Sequence, residues 1–261
     1  MNFDLPLIPE RSKKPRSKGL TMVMDKGLTL SEAGNLLEGN GHLIDIVKLG
    51  FGTSLFTPNL KEKIKLFQDG GCKVYPGGTL FEAFIARGAF DQFQSFLDEM
   101  GFDSAEVSDG SIQIPHDEKL QYISELAKSK TVLSEVGSKE EGILISPNKW
   151  ISMMQTELEA GSWKVIAEAR ESGNVGIYRP NGSAHTVLVN KILNKVDGDS
   201  ILWEAPKKPQ QVWFIKLLGA EVNLGNIAPN DVIPLETLRN GLRGDTFFDF
   251  LPEDIVQKLK P

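Results

Sequence analysis

The sequence predicts an α/β fold, a single-domain TIM (β/α)8 barrel with an extended N-terminal arm. Eight short apolar runs each end in polar or glycine residues at roughly regular intervals, and helix-like amphipathic stretches separate them. The 261 residues, 40% of them hydrophobic, suffice for one closed parallel sheet with a sizeable core. The runs end in Asp25-Lys26-Gly27, Lys48-Leu49-Gly50, Pro76-Gly77-Gly78, Val107-Ser108-Asp109, Gly137-Ser138-Lys139, Ala169-Arg170-Glu171, Glu204-Ala205-Pro206 and Leu224-Gly225-Asn226. In such a barrel the carboxyl ends of the strands share one face, so these scattered residues converge on one site.

Residues 1–18 hold Pro6, Pro9 and Pro15 with few periodic apolar positions, and read as an arm packed beneath or beside a barrel of residues 19–261. Within the arm, the basic run from Arg11 to Lys18 is broken by Pro15 and reads as a solvated lead-in, with an anion-contacting arm as the alternative. Leu20–Met24 is the first strand. Ser31 is the expected N-cap of a helix over 31–40, with Leu36 and Leu37 on one face. Strand two covers 43–49, and Leu60, Ile64 and Phe67 mark a helix over 58–69. Strand three runs over 72–75. One long helix is expected over 80–100, its Phe81, Phe84, Phe93 and Phe96 stripe packed on the barrel. Strands over 105–107, 132–136, 163–169, 200–204 and 220–224 follow, alternating with helices over 116–129, 148–160, 185–195 and 206–218. Helices over 235–242 and 252–259 close the chain.

A net charge of -6 argues against a mainly nucleic-acid-binding role. Nothing approaches the roughly 20 apolar residues of a membrane span, and no signal peptide is evident, so a cytoplasmic location is expected. Cys72 excludes an intrachain disulfide and reads as core filler. His42, His116 and His185 sit away from strand ends and read as helix or loop residues rather than metal ligands.

Side chains alternate faces along a strand, so parity tells which of them point inward. That places Lys48, Glu106, Ser108, Glu135, Gly137, Lys139, Glu168, Arg170, Glu204, Asn223 and Gly225 on the interior side. Glutamates from four strands would then share one low-dielectric space, where an uncompensated carboxylate costs several kcal/mol. A divalent cation, or a network with the lysines and the arginine, must neutralise them; hard carboxylate oxygens favour Mg2+. A purely structural ion network is the competing reading. Gly77-Gly78-Thr79, the glycine turn from Gly50 to Ser54, and Gly225-Asn226 can present backbone N–H groups to anions. Anion pockets, Mg2+ and an inward lysine suit chemistry through an enolate-like intermediate, with the lysine moving a proton at the carbon beside a carboxylate.

Ten motifs, in order over residues 14–245, resemble the phosphosulfolactate synthase family. They are Lys14-Pro15-Arg16, the stretch from Gly19 to Gly27, Lys48 to Ser54, Gly77 to Glu82, Glu106 to Gly110, Ser134 to Lys139, Glu159-Ala160-Gly161, Glu168 to Gly173, Glu204-Ala205-Pro206 and Val222 to Ile227. The resemblance implies a TIM barrel that adds sulfite to phosphoenolpyruvate with Mg2+, giving (2R)-phospho-3-sulfolactate, the entry to one route to coenzyme M. Sulfite would attack the terminal enol carbon, the carbanion would be held as an aci-carboxylate on the metal, and the lysine matching Lys139 would donate the proton. We expect Glu106, Glu135 and Glu168 at the metal, and Lys48, Arg170, Gly77, Gly78, Thr79, Gly225 and Asn226 around substrate anions. Homo-oligomers are implied as well. Bacterial relatives of this kind point to sulfolactate rather than coenzyme M, and plant relatives are heat-stress-associated proteins. A non-enzymatic partner-binding barrel and a lyase for another phosphorylated enol or keto acid are therefore the alternatives.

Overall fold

The computed structural model describes residues 3–137, 145–170 and 172–260. Eight parallel strands alternate with helices: β1 (Thr21–Asp25), β2 (Ile46–Leu49), β3 (Lys73–Pro76), β4 (Ser104–Val107), β5 (Thr131–Val136), β6 (Lys164–Ala167), β7 (Ile201–Glu204) and β8 (Leu224–Ile227). The hydrogen-bonded order is β3-β2-β1-β8-β7-β6-β5-β4. Carboxylates bridge the seam between the two end strands. Asp103 Oδ1 accepts from the Val74 N–H at 3.0 Å, and Glu106 Oε1 from the Gly78 N–H at 2.8 Å. Side chains there satisfy backbone donors that a ladder would otherwise pair.

Strand parity sorts the core as the sequence implies. Leu20, Met22, Ile46, Tyr75, Leu133, Ile166 and Leu202 fill the barrel interior. Their strand neighbours, among them Val23, Val47, Val74, Ala105, Val132, Val165 and Trp203, join the larger cluster beneath the helices. Burial on both faces explains why these strands read as continuous apolar runs. Cys72 is buried in that outer cluster.

The helices are α1 (Leu30–Asn40), α2 (Leu60–Asp69), α3 (Gly78–Ile85), α4 (Phe90–Met100), α5 (His116–Leu126), α6 (Pro147–Glu159), α7 (Thr186–Leu193), α8 (Lys208–Leu218), α9 (Val232–Arg239) and α10 (Glu253–Leu259). Several boundaries differ from expectation for local reasons. Thr29, not Ser31, caps α1: its hydroxyl accepts from the Glu32 N–H at 3.2 Å, and Glu32 Oε2 accepts from the Thr29 N–H at 2.8 Å. The single helix expected over 80–100 is two, because Gly88 adopts φ 65° between α3 and α4. The aromatic stripe still packs, with Phe93 ring centroids 5.4 Å from Phe81 and 5.5 Å from Phe84. Strand β8 begins where 220–224 was expected to end. Gly219 at φ 84° turns the chain there, and pairing sets Leu224 against Thr21 and Gly225 against Glu204. Similarly, Gly241 at φ 68° follows α9, which lies three residues earlier than the apolar spacing suggested.

In the basic arm Arg11, Lys14 and Arg16 are turned onto the protein itself, while Lys13 and Lys18 remain exposed. Arg11 pairs with Glu221 and, at 3.1 Å, with Glu236, and donates to the Ala220 carbonyl at 3.0 Å. Lys14 donates to the carbonyls of Gly41 and Gly70, and Arg16 lies 2.9 Å from Asp45. Glu236 lies in α9, but the other partners precede strands β2, β3 and β8, so the arm lies across the amino-terminal end of the barrel, opposite the strand-end face. Arg239, fully buried beside it, donates to the carbonyls of Ala220, Val222 and Leu20. Burial, with Arg11 adding to it, lowers its pKa to about 9.

Candidate active site

At the carboxyl ends of the strands lies a cavity of about 270 Å³. Its lining includes nine of the ten described residues expected at the site: Lys48, Gly77, Gly78, Thr79, Glu106, Glu135, Glu168, Arg170 and Asn226. Gly225 is the exception. A Cβ there would sit against Met22 and Leu202, so Gly225 belongs to the interior beneath the cavity, where its lack of a side chain makes room for theirs. Lys139 lies outside the described residues. His42, His116 and His185 do not line the cavity.

Lys48 rises from β2 into the acidic cluster. Its Nζ is 3.0 Å from Glu106 Oε2, 3.4 Å from Glu204 Oε1 and 3.6 Å from Glu135 Oε2. Burial by itself would depress the ammonium pKa, but Glu106, Glu204 and Glu135 together hold it well above its ordinary value. The Glu204 pKa is raised as well, which for a carboxyl disfavours the charged form. Burial pushes it up to about 7, with Glu135 and Glu106 adding to the effect and Lys48 opposing it. Beneath them the fully buried Tyr75 hydroxyl is raised well above its ordinary pKa, chiefly by burial.

Glu135, Glu168 and Glu204 each offer one carboxylate oxygen within 4.8 Å of the others. Three buried hard-oxygen donors at that separation, one of them with its anionic form disfavoured, fit a divalent cation. Two members of this set match the expected metal ligands. The third is Glu204, whereas Glu106 sits on the Gly78 N–H and Lys48. Glu204 was legible as an inward strand-end carboxylate; its grouping was not, because it depends on the sideways spacing of β5, β6 and β7.

The backbone around these carboxylates is strongly shaped. Glu168 Oε1 accepts from the Arg170 N–H, and Arg170, at φ 51°, is an exposed residue at the edge of the cavity. The loop after β6 folds back, so that the Ile177 N–H reaches the Glu168 carbonyl at 3.0 Å and the Tyr178 hydroxyl reaches the Glu204 carbonyl at 2.7 Å. Gly176 has no alternative here, since a Cβ would collide with the Glu168 carbonyl. At the end of the adjoining strand β8, Asn226, at φ 57°, is nearly fully buried. The Gly78 N–H at the start of α3 is engaged by Glu106, so the glycine turn presents less free backbone than expected. Met24, Phe51 and Ser111 also line the cavity. Ser111 carries no periodic signal because it lies in a loop. Phe51 sits half exposed at φ 55°, within the 3-10 segment Gly50–Leu55, and the Lys26 ammonium lies 5.6 Å from its ring centre.

Residues 9–245 match the family model described as (2R)-phospho-3-sulfolactate synthase (ComA). The chain belongs to that family. A phosphosulfolactate synthase from Methanothermobacter thermautotrophicus is 41% identical over 94% of this chain and 96% of its own length. One from Bacillus subtilis is 39% identical over 95% and 99%. Among solved structures, 3-hexulose-6-phosphate synthase from Salmonella typhimurium superposes with a TM-score of 0.53 at 15% identity, covering 83% of this chain and 98% of that one. That last likeness concerns the barrel fold alone.

Proposed function

We propose that this family member catalyses the Mg2+-dependent addition of sulfite to phosphoenolpyruvate, giving (2R)-phospho-3-sulfolactate. The observation that carries the reading is the triad of buried carboxylates, Glu135, Glu168 and Glu204, within 4.8 Å of one another in a cavity that Lys48 and Arg170 also line. Those three carboxylates would hold Mg2+. When bound, Mg2+ supplies stabilisation of the negative charge that develops on the substrate carboxylate. Lys48 offsets the charge of Glu106, Glu135 and Glu204, and Glu106 in turn fixes Lys48 and the start of α3. Arg170 and Thr79, at the edge of the cavity, attract the phosphate and sulfite anions, and Asn226 offers them a neutral polar contact. The sulfite sulfur lone pair forms the C–S bond at the terminal methylene carbon. The enol π pair moves to the carbon bearing the phosphate, next to the carboxylate. A proton from Lys139 then completes that carbon, and the phosphate ester is retained.

The test is turnover of the purified protein with phosphoenolpyruvate, sulfite and Mg2+, followed by mass spectrometry. Phosphosulfolactate is the expected product, with turnover lost in a folded Lys139→Ala variant. No product with Mg2+ or Mn2+ defeats the reading, and full activity in Lys139→Ala removes the assigned proton donor.

A further inference from the structure

Behind the active-site wall, α5 and α6 bury an ion network that the reaction above does not use. Lys119 of α5 is fully buried, and its ammonium has two hydrogen-bond acceptors and one further ionic partner. It donates to the Glu135 backbone carbonyl at 2.6 Å and to Asp109 Oδ1 at 2.8 Å, and lies 2.9 Å from Glu157 Oε1.

The location of two of the acceptors gives the cluster its meaning. In the β4–β5 pairing, Val107 stands opposite Ser134 as the final matched pair. The Glu135 carbonyl lies one residue beyond it, where β4 has turned away into Ser108 and Asp109. Lys119 supplies the donor at that point and ties the diverging chain, through Asp109, to the end of β5. The side chain of the same Glu135 points into the cavity as part of the carboxylate triad. Stability gives little reason for an ion here, because well-packed apolar residues of similar volume commonly serve a buried position as well as an ion pair does. A multiply bonded ammonium does what an apolar side chain cannot: it fixes the direction of a carbonyl and the separation of two strand ends.

We infer that Lys119 is a positioning residue, which holds the Glu135 backbone and the Asp109 loop in the geometry that lets Glu135 share a cation with Glu168 and Glu204. The inference rests on the function proposed above and adds to it a residue that touches neither substrate nor metal. Groups that orient ligating carboxylates typically change metal affinity or activity by about 10- to 100-fold when removed.

The test compares the wild-type protein, Glu157→Gln, and Lys119→Met combined with Glu157→Gln, so that no buried carboxylate is left facing an absent ammonium. Calorimetric titration of the substrate-free protein with Mg2+ is read beside turnover and thermal melting. Glu157→Gln is expected to bind Mg2+ and turn over like wild type, because Lys119 keeps its contacts to Glu135 and Asp109. The double variant is expected to melt within a few degrees of wild type, to bind Mg2+ about 10-fold or more weakly, and to lose kcat about 10- to 100-fold while KM for phosphoenolpyruvate changes little. Equal loss in both variants, or wild-type Mg2+ affinity and kcat in a folded double variant, overturns the inference. Should the double variant fail to fold, Asp109→Ala, which removes the acceptor, gives the same readout: weaker Mg2+ binding supports the tie between strand ends, and unchanged binding overturns it. A wild-type protein that neither binds Mg2+ nor forms product defeats the functional reading instead, which keeps the two failures apart.

Discussion

Glu204 shows how position sets the chemistry of a single residue. Its carboxyl is pushed up to about 7 by burial, with Glu135 and Glu106 adding and Lys48 opposing. A carboxyl that holds its proton more tightly when folded than when unfolded stabilises the fold fully below its unfolded pKa, and that contribution disappears as pH rises through the folded value. In Mg2+-free buffer the melting temperature is therefore expected to fall between about pH 5 and pH 8. Added Mg2+ should offset the fall by binding the ionised form. Glu204→Gln should flatten the metal-free profile, and parallel profiles for the two proteins would remove Glu204 as its source. Strand parity made this carboxylate legible as inward-facing. Its raised pKa was not legible, because it depends on which other charges lie within a few ångströms.

At the scale of elements, the site is built where strand ends meet helix starts. The Gly78 N–H, first in α3, serves Glu106 of β4, while Glu82 of the same helix accepts from the Ser108 hydroxyl and from the N–H groups of Gly110 and Ser111. Helix α3 thus organises both the floor and the rim of the cavity. A Cβ on Gly78 would collide with Ser108 and Glu106, so Gly78→Ala should displace the Glu106 carboxylate from Lys48. We expect a loss of about 100-fold in kcat/KM, a typical cost for displacing catalytic groups by about 1 Å, with far-UV circular dichroism unchanged. Activity within a factor of two of wild type would show that the Glu106 contact is dispensable. The glycines were legible as a turn entering a helix. Their partner was not, because Glu106 approaches from a strand 28 residues away in sequence.

Across the whole molecule the two ends of the barrel divide the work. The strand-end face carries the carboxylate triad, and the opposite end is closed by Arg11, Arg16 and Arg239 against acidic side chains and carbonyls. Arg11→Ala leaves Glu221 and Glu236 without their arginine and is expected to cost about 1–3 kcal/mol in urea denaturation, with KM unchanged. A variant with a wild-type midpoint would show that the arm packs without contributing to stability.

By itself the sequence determined the alternation of strands and helices, the inward parity of Lys48, Glu106, Glu135, Glu168 and Glu204, and the family resemblance, because periodicity, parity and motif order are properties of neighbours along the chain. Tertiary structure decided that Glu204 rather than Glu106 joins Glu135 and Glu168, that Gly225 lies beneath the cavity, that Lys119 ties β4 to β5, and that the basic arm closes the far end. Each of those outcomes depends on distances across the barrel, set by strand stagger and loop path, to which no local pattern of residues is sensitive.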